Sequence, residues 1–305
     1  MRHRSLHAAS VLLLLLLIII ASFAEGWAQK ETGARRRPVT QSRSTVLFEL
    51  IEHGHNPSIV PIVAMQSGRY VAPPSFLMKA AKRRFVATYY RTGEKYRLLS
   101  GGSYVGSATI KKTDPCDETT ANVDMQTSLN LGSGVNAFAT NSDSLAGKSP
   151  KRRELTEREQ TEIMKLVQPV FKHHGLDEPS LTGVSSGAEA VDLDGDGKDE
   201  LIGFFAVGAK SEHSLFIIAE PQGNGFRAAL SLFHQSRDEF HDDRIYYRFL
   251  DGLDLDGDRV AEVVVSVNDW RSTNAWDYII YKKQRGQWRR IYRGGGYREC
   301  ESEQD

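Results

Sequence analysis

The amino-acid sequence predicts a mainly β protein: a small N-terminal β-meander barrel or sandwich, then one helix, then two tandem four-stranded β units. Three observations carry that class. Short runs of β-forming residues, punctuated by Gly and Pro, fill the stretch from Val46 to Leu131. One capped segment of helical period follows Leu155. The C-terminal half then repeats itself at a fixed offset of 62 residues.

The first element is not part of that fold. Arg2 and Arg4 precede an apolar run from Val11 to Ala24, and small residues follow at Ala24, Gly26 and Ala28, so residues 1–28 read as a secretory signal cleaved after Ala24 or Ala28. An uncleaved anchor is the alternative, but a span needs about 20 apolar residues and this run is shorter. The chain is therefore expected to be secreted or periplasmic, with no transmembrane segment after cleavage. Residues 29–45 are polar, with Pro38 and three consecutive arginines, and are expected to be a flexible lead-in.

Residues 46–131 form the expected N-terminal β domain. Val46 to Ile51, Phe85 to Tyr90, Tyr96 to Leu99 and Ser107 to Lys112 are its predicted strands, with turns at Arg91 to Lys95 and Ser100 to Gly106. Residues 132–150, rich in Gly, Ser, Asn and Ala, are expected to be a linker. Residues 151–301 hold the helix and the two repeats, at about 182–235 and 244–297. Thr156 and Glu159 make a capping box, Ile163, Leu166 and Val167 recur at helical spacing, and Pro169 is expected to end or kink the helix.

The halves differ in charge. Residues 29–150 carry 16 basic and 9 acidic side chains and residues 151–305 carry 21 and 29, so a basic first half could dock on an acidic second one. The basic residues are interleaved with strand formers and the chain carries an export signal, so no nucleic-acid partner is expected. Cys116 and Cys300 permit one disulfide or two unpaired thiols; spacing does not choose.

In the repeat, Asp192-Leu193-Asp194-Gly195-Asp196 matches Asp254-Leu255-Asp256-Gly257-Asp258, Glu200 matches Glu262, and the apolar run from Leu201 matches that from Val263. Phe216-Ile217-Ile218 matches Tyr278-Ile279-Ile280, and Phe226-Arg227 matches Trp288-Arg289 without a gap. Aspartates at alternate positions of a tight loop, closed by a glutamate, bring together hard oxygen ligands that repel one another unless a cation lies among them. The carbonyls of Lys198 and Val260 could add a ligand to each. An EF-hand is excluded, because its twelfth position must be a bidentate glutamate and here is Gly203 or Val265.

A strand, a nine-residue acidic loop and a second strand resemble the FG-GAP and VCBS repeats of integrin-type propellers, over roughly Val184 to Tyr292. The resemblance implies two tandem four-stranded FG-GAP-like β units and two calcium sites: Asp192, Asp194, Asp196, Lys198 and Glu200 in one, and Asp254, Asp256, Asp258, Val260 and Glu262 in the other. Two features depart from it. Arg259 stands where the first loop has Gly197, and two repeats are too few for a propeller of about four or more blades.

His53-Gly54-His55 and His173-His174 lack the spacing of a transition-metal site and read as surface or turn histidines. No Gly-x-Ser-x-Gly elbow and no phosphate-binding glycine loop is present. The expected function is that of an exported calcium-binding module for adhesion, scaffolding or capture of a protein or carbohydrate ligand. The alternative is an exported hydrolase with its site in the N-terminal domain or at the domain interface.

Overall fold

In the computed structural model, which describes residues 44–53, 56–74, 79–113, 119–129, 137–145, 150–176, 187–207, 213–236, 245–269 and 275–297, the first half of the chain is a closed barrel. Its elements are β1 (Thr45–His53), β2 (Asn56–Gln66), β3 (Arg69–Val71), α1 (Lys79–Tyr89), β4 (Lys95–Ser100), β5 (Ser103–Thr113), β6 (Ala121–Thr127) and β7 (Ala137–Thr140). The strands run in the order β1-β7-β4-β5-β6-β2, and β2 pairs back onto β1, which closes six strands; β3 extends the far end of β2. Of the two expected forms, barrel and sandwich, the barrel is the one adopted.

Period-2 alternation fills it. Val46, Phe48 and Leu50 of β1 point inward with Tyr96, Leu98, Ile110 and Val123, whereas Leu47 points out. Phe48 lies at the centre of an aromatic cluster, with ring centroids 5.1 Å from Tyr96 and 5.7 Å from Tyr90.

Phe85 to Tyr90, expected to be a strand, is instead the end of helix α1 through Tyr89, with Tyr90 just beyond it. The six preceding residues Lys79-Ala80-Ala81-Lys82-Arg83-Arg84 are strong helix formers, and Phe85 and Tyr89, four apart on one helix face, enter the barrel core together. The expected linker also contains structure. Ala137–Thr140 is a fully buried strand that closes the barrel between β1 and β4.

The second half comprises β8 (Arg152–Glu154), α2 (Glu157–His173), β9 (Gly187–Val191), β10 (Glu200–Val207), β11 (His213–Gln222), β12 (Gly225–Gln235), β13 (Ile245–Leu253), β14 (Glu262–Asp269), β15 (Ala275–Gln284) and β16 (Gln287–Tyr297). β8 to β12 form one antiparallel sheet and β13 to β16 another. Strands β14, β15 and β16 each begin 62 residues after β10, β11 and β12. Even the register shift is copied, falling at Ile218/Ala219 and again at Ile280/Tyr281.

The nearly continuous apolar strands are explained by layers. Along β11, Leu215, Ile217 and Ala219 face α2, while Phe216 and Ile218 face the second sheet. Along β14 and β15, Val263, Val265, Ile279 and Tyr281 face the first sheet, while Val264, Tyr278 and Ile280 face the barrel. Each strand is covered on both sides, so no polar alternation survives.

One core thus joins Leu47, Val60, Ile62, Val63 and Phe138 of the barrel to Leu250, Leu253, Tyr278 and Tyr292 of the second repeat. Everything from Ser44 onward groups as one unit. The join is apolar rather than electrostatic, and an ion pair there runs against the charge asymmetry: the buried acid, Glu49, is on the barrel and the half-exposed base, Arg248, on the repeat.

Helix α2 starts as expected. Thr156 Oγ1 accepts from Glu159 N at 3.3 Å, and Glu159 Oε2 accepts from Thr156 N at 2.9 Å. Pro169 does not end it; the helix continues to His173 and buries Ile163, Val167 and Phe171 against the sheet. Thr156→Ala should lower the unfolding free energy by about 1 kcal/mol, measured by urea denaturation.

Residues 1–28, residues 29–43 of the lead-in, Cys116 and Cys300 lie outside the described residues, as do Gly54 and His55. No helix among the described residues is long and apolar enough to cross a membrane.

Candidate metal centres

Each acidic loop links the end of one strand to the start of the next: β9 to β10 in the first repeat and β13 to β14 in the second. The aspartates shape the loops through their own backbone. Asp192 accepts from the N–H groups of Gly195 at 2.9 Å and Gly197 at 3.0 Å, Asp194 from Asp196 at 3.2 Å, and Asp196 from Lys198 at 2.8 Å. Asp254 accepts from Gly257 at 2.6 Å and Arg259 at 3.3 Å, Asp256 from Asp258 at 3.3 Å, and Asp258 from Val260 at 3.0 Å. The closing glutamates do the same, Glu200 accepting from Leu193 N at 2.8 Å and Glu262 from Leu255 N at 2.7 Å. Such Asx turns are local and are encoded by the repeat itself.

Arg259 does not disrupt the second loop. It adopts the left-handed conformation of its counterpart, with φ of 74° against 84° for Gly197. That conformation costs a non-glycine residue about 1 kcal/mol or more, which the matching hydrogen bonds offset. The loops also touch: Ala261 N donates to Leu193 O at 2.7 Å.

One oxygen each from Asp192, Asp194 and Glu200 lies within 4.8 Å of the others, and so do oxygens of Asp254, Asp256 and Glu262. These two acidic clusters could hold a metal ion. Asp196 and Asp258 are exposed and outside these triples; Lys198 and Val260 enter through their N–H groups. Burial raises Glu200 to about 7, helped by the charges of Asp194 and Glu220 and opposed by Leu193 N–H and Lys283. Burial likewise raises Glu262 to about 7 against the pull of Lys282 and Leu255 N–H.

Reasoning from sequence missed the cations. Consecutive lysines of β15 point to opposite faces and meet different loops. Lys282 Nζ lies 2.6 Å from Asp256, 2.8 Å from Asp258 and 2.7 Å from Glu262. Lys283 Nζ lies 2.7 Å from Asp194 and 2.9 Å from Glu220. Burial opposes both ammonium charges, yet the carboxylates outweigh it and raise both lysines. A signal was present in the aligned repeats: Lys282 falls at the position of Glu220, a reversal of charge.

Asp251 was also missed. It is buried on β13, accepts from Gly252 N at 2.9 Å and Gly102 N at 3.4 Å, and lies 3.8 Å from Arg152. Burial raises it to about 6, although Arg152 and both N–H groups pull the other way. A carboxyl raised on folding binds more protons folded than unfolded, so its contribution to stability falls as pH rises from the unfolded value of 3.8 through about 6. Wild type should therefore gain on Asp251→Asn by roughly 1–3 kcal/mol between pH 7 and pH 4 in urea denaturation. A pH-independent difference between the two would contradict this.

His173 and His174 are exposed, as expected of surface histidines, and His174 stacks on Phe233 at 3.7 Å between centroids. A cleft of about 680 Å³ lies between α1 and the barrel, lined by Ala64, Val71, Pro73, Phe85 and Tyr89 with Arg84 as its cation. Comparison of the chain with protein-family models, with curated proteins and with solved structures finds no match.

Proposed function

We propose that the chain is an exported protein that binds calcium through its acidic loops and serves as a binding, adhesion or scaffold module for a protein or carbohydrate ligand. The observation that carries the reading is the duplicated cluster: buried Glu200 or Glu262 with two aspartates, on a loop whose backbone geometry is the same in both copies. Carboxylate oxygens with no sulfur or imidazole suit a hard cation, and a loop of several carboxylates suits calcium better than the strict octahedron of magnesium. The leading apolar segment, with its basic start and small residues, supports export.

Calcium bound to the folded state alone should raise stability. At free calcium near ten times the dissociation constant, about 1.4 kcal/mol per occupied site is expected, or roughly 2–5 °C in melting temperature. Because extracellular calcium modules commonly work at about 10⁻⁴ to 10⁻³ M, the titration should extend to millimolar calcium, with chelator and magnesium as the comparison arms. An identical melting curve in calcium and chelator, with no heat of binding, would overturn the calcium reading.

A further inference from the structure

The two loops share a backbone but differ in what stands over their carboxylates. In the second, the Lys282 ammonium makes three contacts of 2.6–2.8 Å, two of them to members of the gathered triple, Asp256 and Glu262. Its side chain is 9% exposed. Tyr70, from β3 of the barrel, lies over the same cluster: its hydroxyl is buried without a hydrogen-bond partner, and the charges of Glu262, Asp256 and Asp258 add to the burial that raises it.

In the first loop, Lys283 touches only Asp194 of the triple, and its other partner is Glu220. Glu220 is itself held by Trp288 Nε1 at 3.0 Å and by Arg227.

We infer that Lys282 is the resident cation of the second loop, so that the chain takes up a divalent ion at the first loop alone. The inference rests on the calcium reading above. A divalent ion entering the second loop must displace a nearly buried ammonium from two members of the triple, Asp256 and the buried Glu262, and leave it only the exposed Asp258. A nearly buried charge stripped of most of its partners is strongly unfavourable, so the ammonium stays. At the first loop an entering ion displaces one contact of Lys283, which swings away still paired to Glu220. The first loop therefore keeps the oxygen set and loses little; the second trades a satisfied monovalent cation for a divalent one. Over the carboxylates the two copies differ in charge, Glu220 against Lys282, which leaves one metal loop and one self-neutralised loop.

The test is equilibrium dialysis of the mature protein against calcium up to the millimolar range. Wild type should take up about one equivalent per chain, Lys282→Met about two, and Asp192→Asn essentially none. Asp192→Asn leaves Lys282 in place, so it decides the matter even if Lys282→Met fails to fold. Two equivalents in wild type, one retained by Asp192→Asn, or a folded Lys282→Met that stays at one would each overturn the lysine assignment and leave the calcium reading intact. No uptake by wild type or by Lys282→Met would overturn the calcium reading, and the assignment with it.

Discussion

Arg248→Met should destabilise the protein by about 2–4 kcal/mol, seen as a lower midpoint with unchanged slope in urea denaturation. Glu49, 3% exposed at the join between barrel and second repeat, is paired by Arg248 and accepts from Tyr278 Oη at 2.5 Å. Burial raises Glu49 while Arg248 and the Tyr278 hydroxyl pull it back down. Removing the guanidinium leaves a buried carboxylate that must stay charged at high cost or take up a proton. Breaking a buried pair costs about 3–5 kcal/mol; the lower figure here allows for the half-exposed Arg248 side chain.

The loss has a sign in pH. A raised carboxyl destabilises above its folded pKa and ceases to do so once protonated, so the penalty should be larger at pH 8 than at pH 5. The Glu49→Gln, Arg248→Met double variant, which has no orphaned charge, should recover most of the loss. A double variant as unstable as Arg248→Met would show that packing of the arginine stem, not its charge, carries the effect.

Gly106→Ala should cost about 3 kcal/mol or more, while Gly101→Ala should cost only about 1 kcal/mol. Gly106 sits in β5 at φ +144°, beside the irregularity in which Leu98 pairs with Gly106 and Leu99 with Tyr104. A methyl there would lie 2.1 Å from the Gln126 carbonyl oxygen and 2.9 Å from Thr127 Cα, both main-chain atoms of the adjacent strand β6. The barrel wall would have to part to admit it. Gly101, at φ +52°, faces nothing within 4 Å, so only its backbone conformation resists a side chain. Equal losses in urea denaturation for the two variants would refute the collision.

How much of this was readable beforehand depends on the range of the interactions involved. The capping box at Thr156, the apolar strands of the repeats and the acidic loops were legible because each is set within a few residues or by the copy 62 positions away. Phe85 to Tyr90 was misread because β-forming side chains outweighed the helix formers before them, and the barrel core rewards Phe85 and Tyr89 at helical spacing. Ala137–Thr140 was taken for linker since four residues between glycine-rich flanks carry little pattern; pairing with β1 and β4 makes them a strand.

The sequence by itself determined the mainly β class, the duplication and the geometry of two carboxylate loops, because Asx turns and strand alternation are governed by neighbours along the chain. Only the tertiary structure decided which cation each loop meets and that barrel and repeats share a core. Lys283 and Asp194 are 89 residues apart, and Arg248 and Glu49 are 199 apart. Such pairings follow from how sheets stack and in what register, which is settled by long-range burial of apolar faces rather than by any local preference of the residues that end up in contact.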